Sequence, residues 1–250
     1  DVMVLRAEVD FMEAAGATSP ATLYPPPAHG WEDLDEPARA VVSTITASMK
    51  SVQVLTVGPD ADKHAALAAV AAAVTGEGKH VLAMPATDAA TAFADTHRYA
   101  ERLTDPATTR RRLDNGEWTI PPGNLLVIDD ADHLDPKQLR YFTEHAARAN
   151  TKLLLVHTPT EGRTPAHSLV DALADNLPWA QQLGTPTSRE TAIGRAETHL
   201  ADQEPVTAED RDAAELLARR DTLRATQHAQ FKPRLTTRAQ EHTRDHGIDL

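Results

Sequence analysis

The spacing of hydrophobic and polar positions changes along the chain, and each change predicts a different element. Between residues 2 and 14, Val2, Leu5, Val9 and Met12 recur three or four apart. That is one face of an amphipathic helix, and Gly16 ends it. Ser19-Pro20 and then Tyr24-Pro25-Pro26-Pro27 follow; prolines cannot donate to a helix, so this stretch is a stiff linker. A second helix is expected from about residue 36 to 49, with Val41, Val42 and Ile45 on its buried face. Then the helical period gives way to short runs that are almost continuously apolar. They cover residues 52–57, 80–84, 125–128 and 152–156, and Gly, Pro or Asp closes most of them. Helical stretches at 63–74, 88–99 and 136–149 separate them, the last capped by Asp135-Pro136. Strands apolar throughout, alternating with helices, indicate a parallel sheet covered on both faces. Beyond Pro186 the pattern is all helical, with candidates at 188–203 and after Thr207, where an acid stands three residues on. No strand is expected after about residue 160.

The expected organisation is therefore an N-terminal helix and Pro-rich linker over 1–29, an α/β domain over 30–165 and a helical C-terminal region over 166–250. Composition refines this only in places. With ten aromatics in the sequence, the core must be built largely from Ala, Val and Leu. The absence of cysteine removes disulfides and thiolate metal sites. It suits a reducing, cytoplasmic setting, and no apolar run reaches the roughly 18 residues of a membrane span, so no membrane partner is expected. The chain starts at Asp1, which suggests a piece of a longer polypeptide whose other domains would be partners.

The net charge of −12 argues against a protein that coats nucleic acid with its whole surface. The charge is uneven, however. Residues 1–36 carry eight acids against Arg6 alone, whereas residues 211–250 carry eight bases against six acids. Any DNA contact is expected in the second region, with Arg219, Arg220 and Arg224 as candidates. The cluster Arg110-Arg111-Arg112 reads as a surface turn. His242 and His246, spaced i, i+4, read as a solvated pair, because no acid or Cys arrangement completes a metal site. Trp31, Trp118 and Trp179 read as packing anchors.

In a parallel sheet, ligands gather beyond the carboxyl ends of the strands. The four predicted ends carry Gly58-Pro59 with Lys63; Pro85-Ala86-Thr87-Asp88-Ala89-Ala90; Asp129-Asp130-Ala131-Asp132-His133-Leu134; and His157-Thr158-Pro159-Thr160. In this order they resemble the first motor domain of superfamily 1 DNA helicases, of the exonuclease-V α-subunit and conjugative relaxase type. The resemblance covers roughly residues 31–160. It implies a RecA-like, P-loop NTPase-like parallel sheet flanked by helices, plus the N-terminal helix and an all-helical C-terminal appendage. It also implies that Lys63 stands for the phosphate-loop lysine, Asp129 for the Mg²⁺-holding aspartate, and Asp130 for the carboxylate that activates water.

The chain departs from that pattern at several positions. A loop of the form G-x-x-x-x-G-K-[ST] wraps phosphates with backbone N–H groups and ligates Mg²⁺ with its hydroxyl. Here Val57 and Asp62 occupy the glycine positions and His64 the hydroxyl position; with Gly58 taken as first glycine the loop is one residue short. Asp62 sets a carboxylate where the β-phosphate would sit. Asp130 is one methylene shorter than Glu, a slip of about 1 Å that can cost on the order of 10²-fold in rate. The usual sensor Gly-Asp-x-x-Gln is absent after 157, and with no strands expected beyond 165 a second motor domain would have to lie elsewhere in a longer parent protein. The expectation is a degenerate domain that does not hydrolyse ATP, with Gly58, Asp62, Lys63 and His64 as a vestigial nucleotide site. It would take no cofactor and serve as a scaffold module of a larger DNA-processing or mobilisation protein. One alternative is an active ATP- and Mg²⁺-dependent DNA helicase or translocase domain using Asp129 and Asp130 and completed by a second motor domain supplied in cis or in trans. The other is a nucleotide-independent nucleic-acid adaptor.

Overall fold

The computed structural model describes residues 2–27, 29, 31–87, 100–159, 169–184 and 208–231. The chain begins with helix α1 (Val2–Ala15), followed by a short 3-10 turn (Pro20–Thr22) and α2 (Glu36–Ala47). Then come β1 (Val52–Val57), α3 (Lys63–Gly76), β2 (Val81–Pro85), β3 (Ala100–Arg102), α4 (Pro106–Asp114) and β4 (Leu125–Asp129). A 3-10 turn (Ala131–His133) leads to α5 (Pro136–Arg148), β5 (Lys152–His157), α6 (Leu169–Asn176), β6 (Gln181–Leu183) and α7 (Ala208–Gln230).

The six strands form one sheet in the order β3-β2-β4-β5-β1-β6, every neighbouring pair parallel. This is the P-loop NTPase-like α/β fold, with a core on each face of the sheet. On one face Val52, Val54, Leu153 and Leu155 meet α1, α5 and α6 through Phe11, Met12, Phe142 and Leu173. On the other Leu55, Val57, Leu154 and Val156 meet α2 and α3. Because α3 presents mainly alanines there (Ala66, Ala69, Ala73), its backbone can lie close to the strands.

The segment expected to be a linker is a strap along the amino ends of the strands. Thr18 bridges to Lys50, the Tyr24 N–H donates to the Thr46 carbonyl, and the buried Tyr24 hydroxyl donates to the Asn124 carbonyl at 2.8 Å. Beside it Lys152, fully buried at the start of β5, donates to the carbonyls of Ile45 and Ser48 at the end of α2. These are orphan carbonyls of a helix terminus, so the amine completes that helix. Burial pushes the Lys152 amine down to about 7.

Two expectations need correction. The sheet does not end near residue 160, because β6 at 181–183 pairs with β1; three residues are too few for a period to emerge from the sequence. Arg110-Arg111-Arg112 lies in the helix α4, capped by Asp105, and not in a turn. The edge strand β3 and helix α6 have no counterpart among the expected elements either. Expected helices at 88–99 and 188–203, and the His242/His246 pair, lie outside the described residues. Among the described residues no helix is long and apolar enough to cross a membrane.

Candidate functional site

Parallel register places the chemistry-bearing residues side by side at the carboxyl edge. Pro85 pairs with Asp129 between β2 and β4, and Thr56 pairs with His157 between β1 and β5. Lys63 opens α3 directly above. Its Nζ donates to Asp129 Oδ1 at 2.9 Å and Oδ2 at 3.1 Å, so the two motif residues the sequence singled out meet as an ion pair. Asp129 is 2% exposed. Burial raises its pKa above the usual carboxylate value and the Asp130 charge adds to this, while the Lys63 charge and hydrogen bond pull the other way.

Asp130 adopts a left-handed backbone, φ 54°, which costs a non-glycine residue about 1 kcal/mol. Its Oδ2 accepts from the Thr87 hydroxyl at 2.8 Å. The turn aims this carboxylate toward the end of β2 while Asp129 faces α3.

The loop between β1 and α3, residues 58–62, is tied within the protein at several backbone positions. The Gly58 N–H donates to the Leu183 carbonyl, Ala61 N–H to Gly58, and Lys63 N–H to Ala61. Asp62 is the N-cap of α3, its Oδ1 accepting from the Ala65 N–H at 2.9 Å. Such a cap satisfies one of the four N–H groups a helix start leaves open. His64, on the first turn, has a buried Nδ1 without a hydrogen-bond partner.

A further chain of polar groups lies under β1 and β5. Thr56 Oγ1 is 2.8 Å from His157 Nε2, and His157 Nδ1 is 3.3 Å from Asp171 Oδ1 on α6. His157 is 1% exposed and Asp171 is buried, while Thr56 is half-buried, so the histidine is satisfied within the fold from both ring nitrogens. No signal in the sequence marks Asp171, which belongs to no motif; Thr87 stands in a recognised motif that carries no assigned role for it.

The three arginines considered for DNA have different settings. Arg219 pairs with Glu13 of α1, its Nε at 3.0 Å from Oε1. Arg220 is 6% exposed, with its NH2 3.2 Å from Asp221. Arg224 is exposed. Glu13 and Asp10 of α1 pair with Arg219 of α7 and Arg140 of α5, and Glu8 accepts from the Asn176 amide of α6, so two of the N-terminal acids have a cation beside them within the fold. Among the described residues, no three His, Asp or Glu side chains are arranged to hold a metal.

Residues 33–228 match the family described as AAA domain. No match was found among curated proteins. The matched span is well over half of the chain, from the start of α2 to near the end of α7, and the chain belongs to the AAA domain family, P-loop domains found in helicase-like proteins of superfamily 1.

Proposed function

Starting from an AAA domain of helicase-like type, we propose that this chain does not turn over ATP. It acts as a scaffold or interaction module of a larger DNA-processing or mobilisation protein. The observation that carries the proposal is the self-bonded loop over residues 58–62. A phosphate loop holds its ligand with backbone N–H groups that converge on the anion. Here the N–H groups of Gly58, Ala61, Lys63 and Ala65 already donate within the protein, and Pro59 has none. The Asp62 carboxylate takes one of the N-terminal N–H groups that would face a phosphate, an internal anion in the ligand's place.

The residues present do not fit a Mg²⁺-nucleotide. Asp62 would repel the β-phosphate, and like charges a few Å apart cost several kcal/mol in a closed site. His64 stands where a hydroxyl is needed, and imidazole is a poor ligand for a hard cation. No hydrolytic step is therefore assigned to Asp129 or Asp130.

One observation favours the rival, an active motor domain: Lys63 and Asp129 are both retained and meet across the site. Calorimetric titration with ATP and a non-hydrolysable analogue, with and without Mg²⁺, separates the two. The proposal expects no saturable heat at millimolar nucleotide. Binding tighter than about 100 μM that Lys63→Ala abolishes would establish the motor reading instead.

A further inference from the structure

The carboxyl end of β6 meets the phosphate loop at two successive residues. Val57 and Leu183 form the last register pair of β1 and β6, and the next N–H, from Gly58, donates to the Leu183 carbonyl at 2.7 Å. Gly184 follows with φ +76°. A Cβ placed there would lie 2.7 Å from the Ala61 Cβ and 2.8 Å from Asp60 Oδ1. Position 184 therefore excludes a side chain for two independent reasons: its backbone sign and the loop lying against it.

The other positive-φ glycines lack the second reason. Gly78 and Gly116 have nothing within 4 Å of a built Cβ, and at Gly123 the nearest atom is 3.8 Å away. Among the described residues, these other turn glycines leave room for a Cβ. Gly184 is the one pressed onto another segment, and that segment is the phosphate loop.

We infer that the end of β6 is the seat of the phosphate loop, holding residues 58–62 in their closed shape, with Gly184 as the positioning residue. The inference rests on the reading of the loop as closed to nucleotide, and it adds what keeps it closed. The Gly58 N–H is committed to the Leu183 carbonyl, so any rearrangement of the loop that frees it must move against the end of β6. Because β6 is an edge strand and α2 packs across it, a force on α2 or on that edge reaches the loop through Gly184.

The test is amide hydrogen exchange on the full chain in a double-mutant cycle: Gly184→Ala, Ala61→Gly and both together. The left-handed strain that an alanine meets at position 184 is common to both backgrounds and cancels, leaving the contact between positions 61 and 184. Gly184→Ala is expected to speed exchange at Gly58, Ala61 and Lys63 about tenfold or more, with β4 and β5 unchanged. Ala61→Gly should restore most of that protection. Gly184→Asn, whose side chain tolerates the left-handed region, should show the same local opening. If Gly184→Ala does not fold but the double variant does, the seat is likewise supported. Exchange that rises across the whole sheet, or that Ala61→Gly does not restore, would overturn it. Nucleotide binding by the wild type would sink the proposed function without altering this exchange pattern, so the two failures are distinguishable.

Discussion

Lys63→Met distinguishes a lysine that waits for phosphate from one that holds the fold together. In the wild type its ammonium neutralises a carboxylate that is 2% exposed. Removing one partner of a buried pair strands the other, at about 3–5 kcal/mol. Asp129 has an escape, because it can take up a proton. From an ordinary pKa of 3.8, protonation at pH 7 costs about 4 kcal/mol, which caps the penalty. Lys63 is 18% exposed, so some screening remains and the lower end applies, about 3 kcal/mol. Asp129→Asn leaves a lysine that can turn to water and is expected to cost about 1–2 kcal/mol. The double variant should cost little more than that, giving a coupling of about 2 kcal/mol.

The pH dependence follows from the same groups. In Lys63→Met the charge and hydrogen bond of Lys63, which lower the Asp129 pKa, are gone; burial and the Asp130 charge still raise it, opposed only by the Asp130 backbone N–H. The folded state then binds more protons than the unfolded state between 3.8 and the raised value. That contribution is complete below 3.8 and lost as pH rises through the folded pKa. The deficit of Lys63→Met relative to Lys63→Met/Asp129→Asn should thus be small near pH 4 and complete by pH 7.5. Urea unfolding followed by circular dichroism is the assay, since guanidinium would screen the charges. A coupling below about 0.5 kcal/mol would refute the reasoning and make this an ordinary surface pair.

Other consequences are as accessible. Gln53 is fully buried in β1 and neither atom of its amide has a partner, so Gln53→Met should stabilise the fold by about 1–2 kcal/mol in the same urea assay. Lys152→Met should cost about 1–3 kcal/mol at pH 9, where the neutral amine still has two N–H groups for the Ile45 and Ser48 carbonyls. Its folded pKa of about 7 lies below the ordinary 10.5, so the unfolded chain binds more protons between those values. Wild-type stability relative to Lys152→Met should rise with pH across that window, and a flat difference would contradict the burial argument.

The central strands were legible because a strand buried on both faces must be apolar at nearly every position, and 52–57, 125–128 and 152–156 are. The cap of α5 was legible for a local reason: Asp135, Pro136 and Gln138 make a capping box whose bonds span three residues. What escaped depends on distant parts of the chain. Residues 181–183, Gln-Gln-Leu, are a strand only because Leu55, Thr56 and Val57 offer them an open edge. Lys152 reads as a polar residue at a strand start, yet it is buried because the end of α2 supplies acceptors more than a hundred positions away. In the site, residue types at strand ends exposed Lys63 and Asp129. The pairings of Thr87 with Asp130, and of His157 with Thr56 and Asp171, arise through sheet order and packing, which no local pattern encodes.

A site built for a ligand keeps directional groups unsatisfied until the ligand arrives, and maintaining them so costs stability. Along the carboxyl edge here many such groups are satisfied within the chain, while the buried Nδ1 of His64 is not. Lys63 closes on Asp129, Thr87 on Asp130, Thr56 on His157, His157 on Asp171 and Gly58 on Leu183. These contacts join α3 to β4, the end of β2 to the turn after β4, β1 to β5, β5 to α6 and the loop to β6. Internal bonds of this kind stabilise the same geometry without a ligand, and they relieve the penalty of burying Asp129 and His157. Under the proposed function these bonds let the domain keep its shape with no nucleotide bound, whereas the Lys63–Asp129 pair taken alone is equally at home in an active motor. The loop follows the same logic: Asp62 supplies within the chain the negative charge that the start of α3 attracts, so closure is a property of the sequence at residues 58–65 and of the seat at Gly184.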